Sequence, residues 1–229
     1  MVGVLYLQYV LLALALVVWA AHLWRSVPTL AAALAVVVAA GLLYDNLVLA
    51  VGAVLDAGPL LLALNWPRYW LEALVAPLFV PIAANLARRA GAAQLGAHAT
   101  QWLVGATTLA LMLYGLAGLN RLVLMPVSSG GAVRYVATVV EPPVIGLACT
   151  FAALVAGVAI WRARGWSWLT WAALVVFVAG GAAAAFGRDA ICVVTNTVEM
   201  LPLVAMLAWE RHLCAEDAAQ QGTPVSAGH

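Results

Sequence analysis

The chain contains no lysine: all ten of its cations are arginine. Schiff-base chemistry on a lysine amine is therefore excluded, retinal binding included. Charged residues make up only 8% of the chain, against about 25% in soluble globular domains. That scarcity, with a formal net charge of +1, excludes a nucleic-acid-binding, disordered or ordinary cytosolic protein. The three cysteines (Cys149, Cys192, Cys214) form no CxxC pair, so no disulfide framework is expected, and the intraspan ones read as small hydrophobes. The four histidines (His22, His98, His212, His229) fall at span ends or in the tail. A His-rich metal site in the core is excluded, and no metal or other cofactor is expected. No DxxD pattern is present to hold a magnesium diphosphate, which argues against prenyl transfer. Ser128-Ser129-Gly130 has no intraspan histidine to serve as base, so a serine protease is set aside as well.

What is abundant is apolar. Hydrophobic residues are 66% of the 229, and mean hydropathy is +1.05. A membrane-spanning helix takes roughly 20 such residues. Runs broken by charge, Gly or Pro give seven spans, at about 3–21, 29–52, 69–87, 100–119, 143–161, 168–186 and 190–209. The expected fold class is all-α: a polytopic membrane protein, a seven-transmembrane-helix bundle over residues 1–211. Residues 212–229 read as a polar, disordered tail. The first run has no basic n-region and is too long for a signal h-region, so it reads as a retained helix. Pro77 and Pro81 would kink the third span, and Arg121 to Pro142 is the longest connection. The Ala/Gly-rich stretch Ala179–Ala185 would permit close packing.

Arginine placement orients the bundle. With the N-terminus outside and the C-terminus cytoplasmic, six arginines fall in inner segments and four in outer ones. Outside the last residues, all six acids (Asp45, Asp56, Glu72, Glu141, Asp189, Glu199) then lie in the outer half, in outer loops or near mid-depth. Eight tryptophans, among them Trp102, Trp168 and Trp209, gather at inner helix ends as an interfacial belt. All six tyrosines map to the outer half. A bacterial-type cytoplasmic membrane is the expected location, with the lipid bilayer as a partner, no nucleic acid, and an oligomeric state left open.

Three acids lie within spans: Asp45, Glu72 and Glu199. A charged side chain at the bilayer centre costs about 2.5–3.5 kcal/mol, so such a group is paired, protonated or functional. Asp189, Cys192, Asn196 and Glu199 recur at i, i+3, i+7 and i+10 on one helical stripe, and Asn196 is placed to hold the Glu199 carboxyl. Asp45 lies between Tyr44 and Asn46. Glu72 stands four residues after Arg68, so an interfacial ion pair with Arg68 competes with a role in chemistry. Trp66 and Trp70 flank Arg68. Glu141-Pro142-Pro143 reads as a helix entry. Carboxyls desolvated in an apolar cavity hold their protons more tightly and can act as general acids or proton carriers. Aromatic rings beside them can stabilise a developing carbocation.

Seven spans in about 230 residues would also suit a microbial rhodopsin, but for the missing lysine. With an acid in an early helix and another in the last, the layout resembles the small integral-membrane terpene cyclases of meroterpenoid and indole-terpenoid pathways. In that resemblance Glu199 matches the late acid, and Asp45 or Glu72 the early one. It implies a protonation-initiated cyclisation, an isomerisation, of a prenylated lipophilic substrate. Glu199 or Asp45 would donate the proton. Glu72 is a further catalytic candidate. Tyr44, Asn46, Trp66, Arg68, Trp70, Tyr114 and Asn196 are the candidate substrate-binding residues. The alternative is a proton-coupled transporter or lipid-binding membrane protein using the same acids as a relay.

Overall fold

A computed structural model describes residues 2–92, 97–129, 132–139, 143–186 and 188–221; the side chains of residues 2–4, 129, 183–198, 218 and 220–221 lie outside that description. The order is α1 (Val2–Ser26), α2 (Leu30–Val51), α3 (Pro59–Leu74), a 3-10 turn (Ala76–Leu78), α4 (Phe79–Arg89), α5 (His98–Leu119), β1 (Leu124–Ser129), β2 (Ala132–Ala137), α6 (Val144–Arg164), α7 (Trp168–Phe186) and α8 (Arg188–Gln221). The described chain is thus helical apart from one hairpin. Five segments are long and apolar enough to cross a membrane: Leu5–Ser26, Leu30–Val51, Pro59–Arg89, His98–Leu119 and Val144–Arg164. A sixth, Trp168–Ala182, is apolar but shorter.

Local sequence explains most element ends. Thr29 caps α2, its hydroxyl accepting from the Ala32 N–H at 3.1 Å, which satisfies one of the free donors of the first turn. Gly165 ends α6 with φ 72°, a left-handed conformation that glycine adopts without Cβ strain. The third span is broken as Pro77 and Pro81 lead one to expect. Each proline lacks the N–H an α-helix needs, so the chain passes through the 3-10 turn between α3 and α4. That span begins earlier than residue 69, at Pro59, because proline is well suited to the first helical turn and α3 continues through Pro67.

Two further expectations are corrected. Residues 212–221 are not disordered but continue α8 to Gln221. The long connection contains an antiparallel hairpin pairing Leu124 with Ala137 through Ser129 with Ala132. Close backbone approaches are found outside Ala179–Ala185, whose side chains from 183 on lie outside the described residues. A Cβ on Gly180 or Gly181 would meet nothing within 4 Å, whereas on Gly115 it would sit 2.8 Å from the Ala73 Cα and on Gly157 2.6 Å from the Thr170 nitrogen. Helices α3 and α5, and α6 and α7, approach closely at those two points.

The core lies among α1, α2, α4, α6, α7 and α8, around Ala20, Leu86, Ile160, Leu169, Leu203 and Met206. Trp209 belongs to it. It is 0% exposed and stacked between Trp166 and His212, ring centroids 5.1 Å from each. Trp102, Trp168 and Trp171 remain exposed, as belt residues should be.

Candidate functional site

Helices α2 and α3 run antiparallel from a turn at residues 52–58, so residues a similar distance from that turn meet. Asp45 lies six residues before the end of α2 and Arg68 nine after the start of α3, about 9 and 14 Å along each helix. There Arg68 Nε donates to Asp45 Oδ1 at 2.6 Å, the two side chains being 17% and 29% exposed. Arg68 Nη1 donates to Asn65 Oδ1 at 2.8 Å, and Asn65 Nδ2 donates to the Leu61 carbonyl at 2.7 Å. Asn65 is 1% exposed. Tyr44 ties the same two helices together, donating to the Leu64 carbonyl at 3.0 Å.

Glu72, one turn beyond Arg68, therefore lacks the ion pair with Arg68 that the i, i+4 spacing suggests: the guanidinium turns across to α2 instead. Glu72 and Glu199 make no hydrogen bond or ion pair among the described residues, and both side chains are exposed. Glu199 nevertheless lies in the fields of Asp45, Glu72 and Arg68, and Glu72 in those of Asp45 and Arg68. Charged groups of α2, α3 and α8 thus share one region of the bundle. Cys149 on α6 also lies in the field of Glu199, and its thiol donates to the Ala76 carbonyl at 3.2 Å in the 3-10 turn. The helix break thus stands beside the acids. Non-helical backbone at such a depth persists where it is buried or lines a cavity.

The hairpin lies over the turn that joins α2 to α3 and reaches Tyr69. The Val133 N–H donates to the Gly52 carbonyl at 2.6 Å. Tyr69 donates to the Tyr135 carbonyl at 3.2 Å, and Tyr135 to the Gly58 carbonyl at 3.3 Å. Sequence reasoning missed both this cover and Asn65. The hairpin has a signal: two runs joined by Gly130-Gly131, a common two-residue hairpin connection. Nothing in the sequence distinguishes Asn65.

The remaining candidates are distributed around this centre. Asn46 is 1% exposed and donates to the Leu42 carbonyl at 2.8 Å on its own helix, so it faces the core while Asp45 faces α3. Trp66, Trp70 and Tyr114 are exposed, and no described ring contact or hydrogen bond joins them to the acids. Asn196 falls in α8, but its side chain lies outside the described residues, as do those of Asp189 and Cys192. Glu141 and Pro142 lie outside them altogether.

A second polar cluster, at the opposite end, was not anticipated. Glu210 on α8 is 2% exposed. It accepts from Arg89 Nη1 at 2.6 Å through both oxygens and from the Thr29 hydroxyl at 2.5 Å. Arg89 also reaches Asp217 at 3.2 Å, and Arg164 reaches Glu216 at 3.3 Å. These pairs hold the continuation of α8 against α4 and α6. Burial first, then the Glu210 charge, holds the Cys214 thiol above the ordinary thiol range. Every carboxylate of this cluster is paired, which is the pattern of an anchor. In the hairpin-end cluster, Glu72 and Glu199 have no hydrogen-bond or ion-pair partner among the described residues. Comparison with protein-family models and with curated proteins finds no match to the chain.

Proposed function

We propose that the chain is an integral-membrane terpene cyclase that isomerises a prenylated, membrane-partitioned substrate. The observation that carries this reading is the unequal state of the three intraspan acids. Asp45 is committed to Arg68, whereas Glu72 and Glu199 make no hydrogen bond or ion pair among the described residues. A carboxylate bound to an arginine has no proton to give, so Glu199 is the donor rather than Asp45. The Glu199 carboxyl protonates an alkene carbon, the π bond supplying the electron pair, or an epoxide oxygen through a lone pair. In the epoxide case the C–O bond then breaks with its electrons going to oxygen and leaves the cation on carbon. Ring closure moves the cationic centre along the chain. Glu72 as carboxylate takes the final proton from carbon, restoring an alkene. A water molecule carries that proton from Glu72 back to Glu199, so substrate and product have equal mass.

In this reading α1, α2, α3 with α4, α5, α6, α7 and α8 make seven crossings. The arginine- and tryptophan-rich end faces the cytoplasm of a bacterial-type cell, and the N-terminus lies outside. Asn65 and Arg68 hold Asp45 in place, and the Glu72 carboxylate is the charge that stabilises the migrating cation. The test is incubation of membranes carrying the chain with farnesylated and epoxyfarnesylated aromatics, followed by chromatography with mass detection. A product of unchanged mass and shifted retention, absent with Glu199→Gln, supports the reading. No isomer from a well-folded protein refutes it.

A second reading is favoured by the exposure of the same two carboxyls. Intramembrane acids can pass protons in a transporter or lipid-binding protein. It is distinguished by proton flux across a sealed vesicle without any isomer.

A further inference from the structure

Arginine offers five N–H donors in a planar fork. In Arg68 the Nε donor is engaged by Asp45 at 2.6 Å and one Nη1 donor by Asn65 at 2.8 Å. The third nitrogen, Nη2, makes no hydrogen bond with any described residue, and it is not among the buried unpaired atoms. It is therefore an open edge of a guanidinium whose other edges are fixed. Asn65 cannot turn away to free them, because its own amide nitrogen is bonded to the Leu61 carbonyl at 2.7 Å inside the core.

The charges around that edge restrict what it can hold. Arg68 and Asp45 together are neutral. Glu72 and Glu199 stand close by and bring no positive charge. An anionic ligand at Nη2 would be set against those carboxyls, and an ammonium against the guanidinium. A neutral acceptor oxygen meets neither penalty and gains a charge-assisted hydrogen bond. Glu72 lies one turn deeper than Arg68, about 6 Å along α3. A molecule held by its oxygen at Arg68 would thus lay its adjoining apolar chain past Glu72 and toward Glu199.

Resting on the cyclase reading above, we infer that the Nη2 edge of Arg68 is a head-group subsite for a neutral acceptor oxygen, of the ketone, quinone or ester class, on an otherwise apolar substrate.

The test uses four ligands sharing one farnesyl-type tail: farnesylacetone, farnesoic acid, farnesylamine and farnesene. Equilibrium binding to the full chain in nanodiscs is measured for each. A hydrogen bond to a charged donor predicts that the ketone binds about tenfold or more tighter than the hydrocarbon, and tighter than the acid or the amine. Arg68→Lys keeps the charge opposite Asp45 but removes the fork, so the ketone falls to the hydrocarbon's affinity. Equal binding of ketone and hydrocarbon by the natural chain overturns the subsite. So does tighter binding of acid or amine, no binding of any ligand, or a ketone preference that survives in folded Arg68→Lys. If Arg68→Lys does not fold, the ranking on the natural chain decides. Isomerisation is scored separately: product formation without the ketone preference removes the subsite and leaves the cyclase reading intact, and the preference without product does the reverse.

Discussion

Arg89 at the end of α4 holds both carboxylate oxygens of Glu210 on α8 through a single nitrogen, 2.6 Å from each. The Thr29 hydroxyl that caps α2 completes the grip, so three helices meet on one buried carboxylate. Breaking a buried pair by removing one member leaves an uncompensated charge. Glu210→Ala is expected to lower stability by about 3 kcal/mol, the low end of that range because Arg89 keeps some contact with solvent. Thermal unfolding in mild detergent measures it, and a midpoint equal to that of the natural chain would remove the anchoring role.

Trp209 and Trp168 differ in role although the sequence places both in one belt. Trp209→Ala empties a fully buried ring site between Trp166 and His212 and is expected to cost about 3–5 kcal/mol. Trp168, 71% exposed, is expected to cost about 0.5 kcal/mol or less on the same change. The two unfolding midpoints, measured side by side, check the contrast.

Gly52 is needed for the space it leaves and not for its backbone angles. Its φ of −64° suits any residue, but a Cβ there would lie 2.0 Å from the Val133 carbonyl oxygen. Gly52→Ala is expected to detach the hairpin, seen as faster hydrogen exchange across residues 132–137 with little change in α6. Gly105→Ala, where a Cβ meets nothing, is expected to stabilise α5 by about 0.5–1 kcal/mol.

Asp45 and Arg68 are expected to be coupled. In a double-mutant cycle with Asp45→Asn and Arg68→Gln, the interaction energy should be about 1–3 kcal/mol, the size seen for residues sharing one network. Additive effects of the two substitutions would mean that the 2.6 Å contact contributes nothing to stability.

The bundle was legible because each span needs a long apolar run, and that run survives in the sequence whatever it packs against. The pairing of charges was not. Arg68 and Glu72 are neighbours on one helix, so their spacing advertises an ion pair. The contact that forms is with Asp45, 23 residues away, through an α2–α3 packing that no periodicity encodes. Glu210 was hidden for a related reason. It lies at the point where the seventh apolar run becomes polar, and polar composition reads as tail. Its burial depends on Arg89, 121 residues earlier. The hairpin escaped notice because two strands of six residues are short beside helical runs of twenty, even with Gly130-Gly131 between them. Asp45, Glu72 and Glu199 were legible because an acid in an apolar run is rare. Which of them would be paired was a matter of tertiary contact.

The central claim is that Glu199 donates a proton to a bound substrate and does not pass it across the membrane. Reconstituting the full chain in sealed vesicles allows isomer formation and internal pH to be followed on one preparation. The account predicts an isomer of unchanged mass that disappears with Glu199→Gln, with internal pH tracking protein-free vesicles. A proton flux abolished by Glu199→Gln, with no isomer formed, would contradict it.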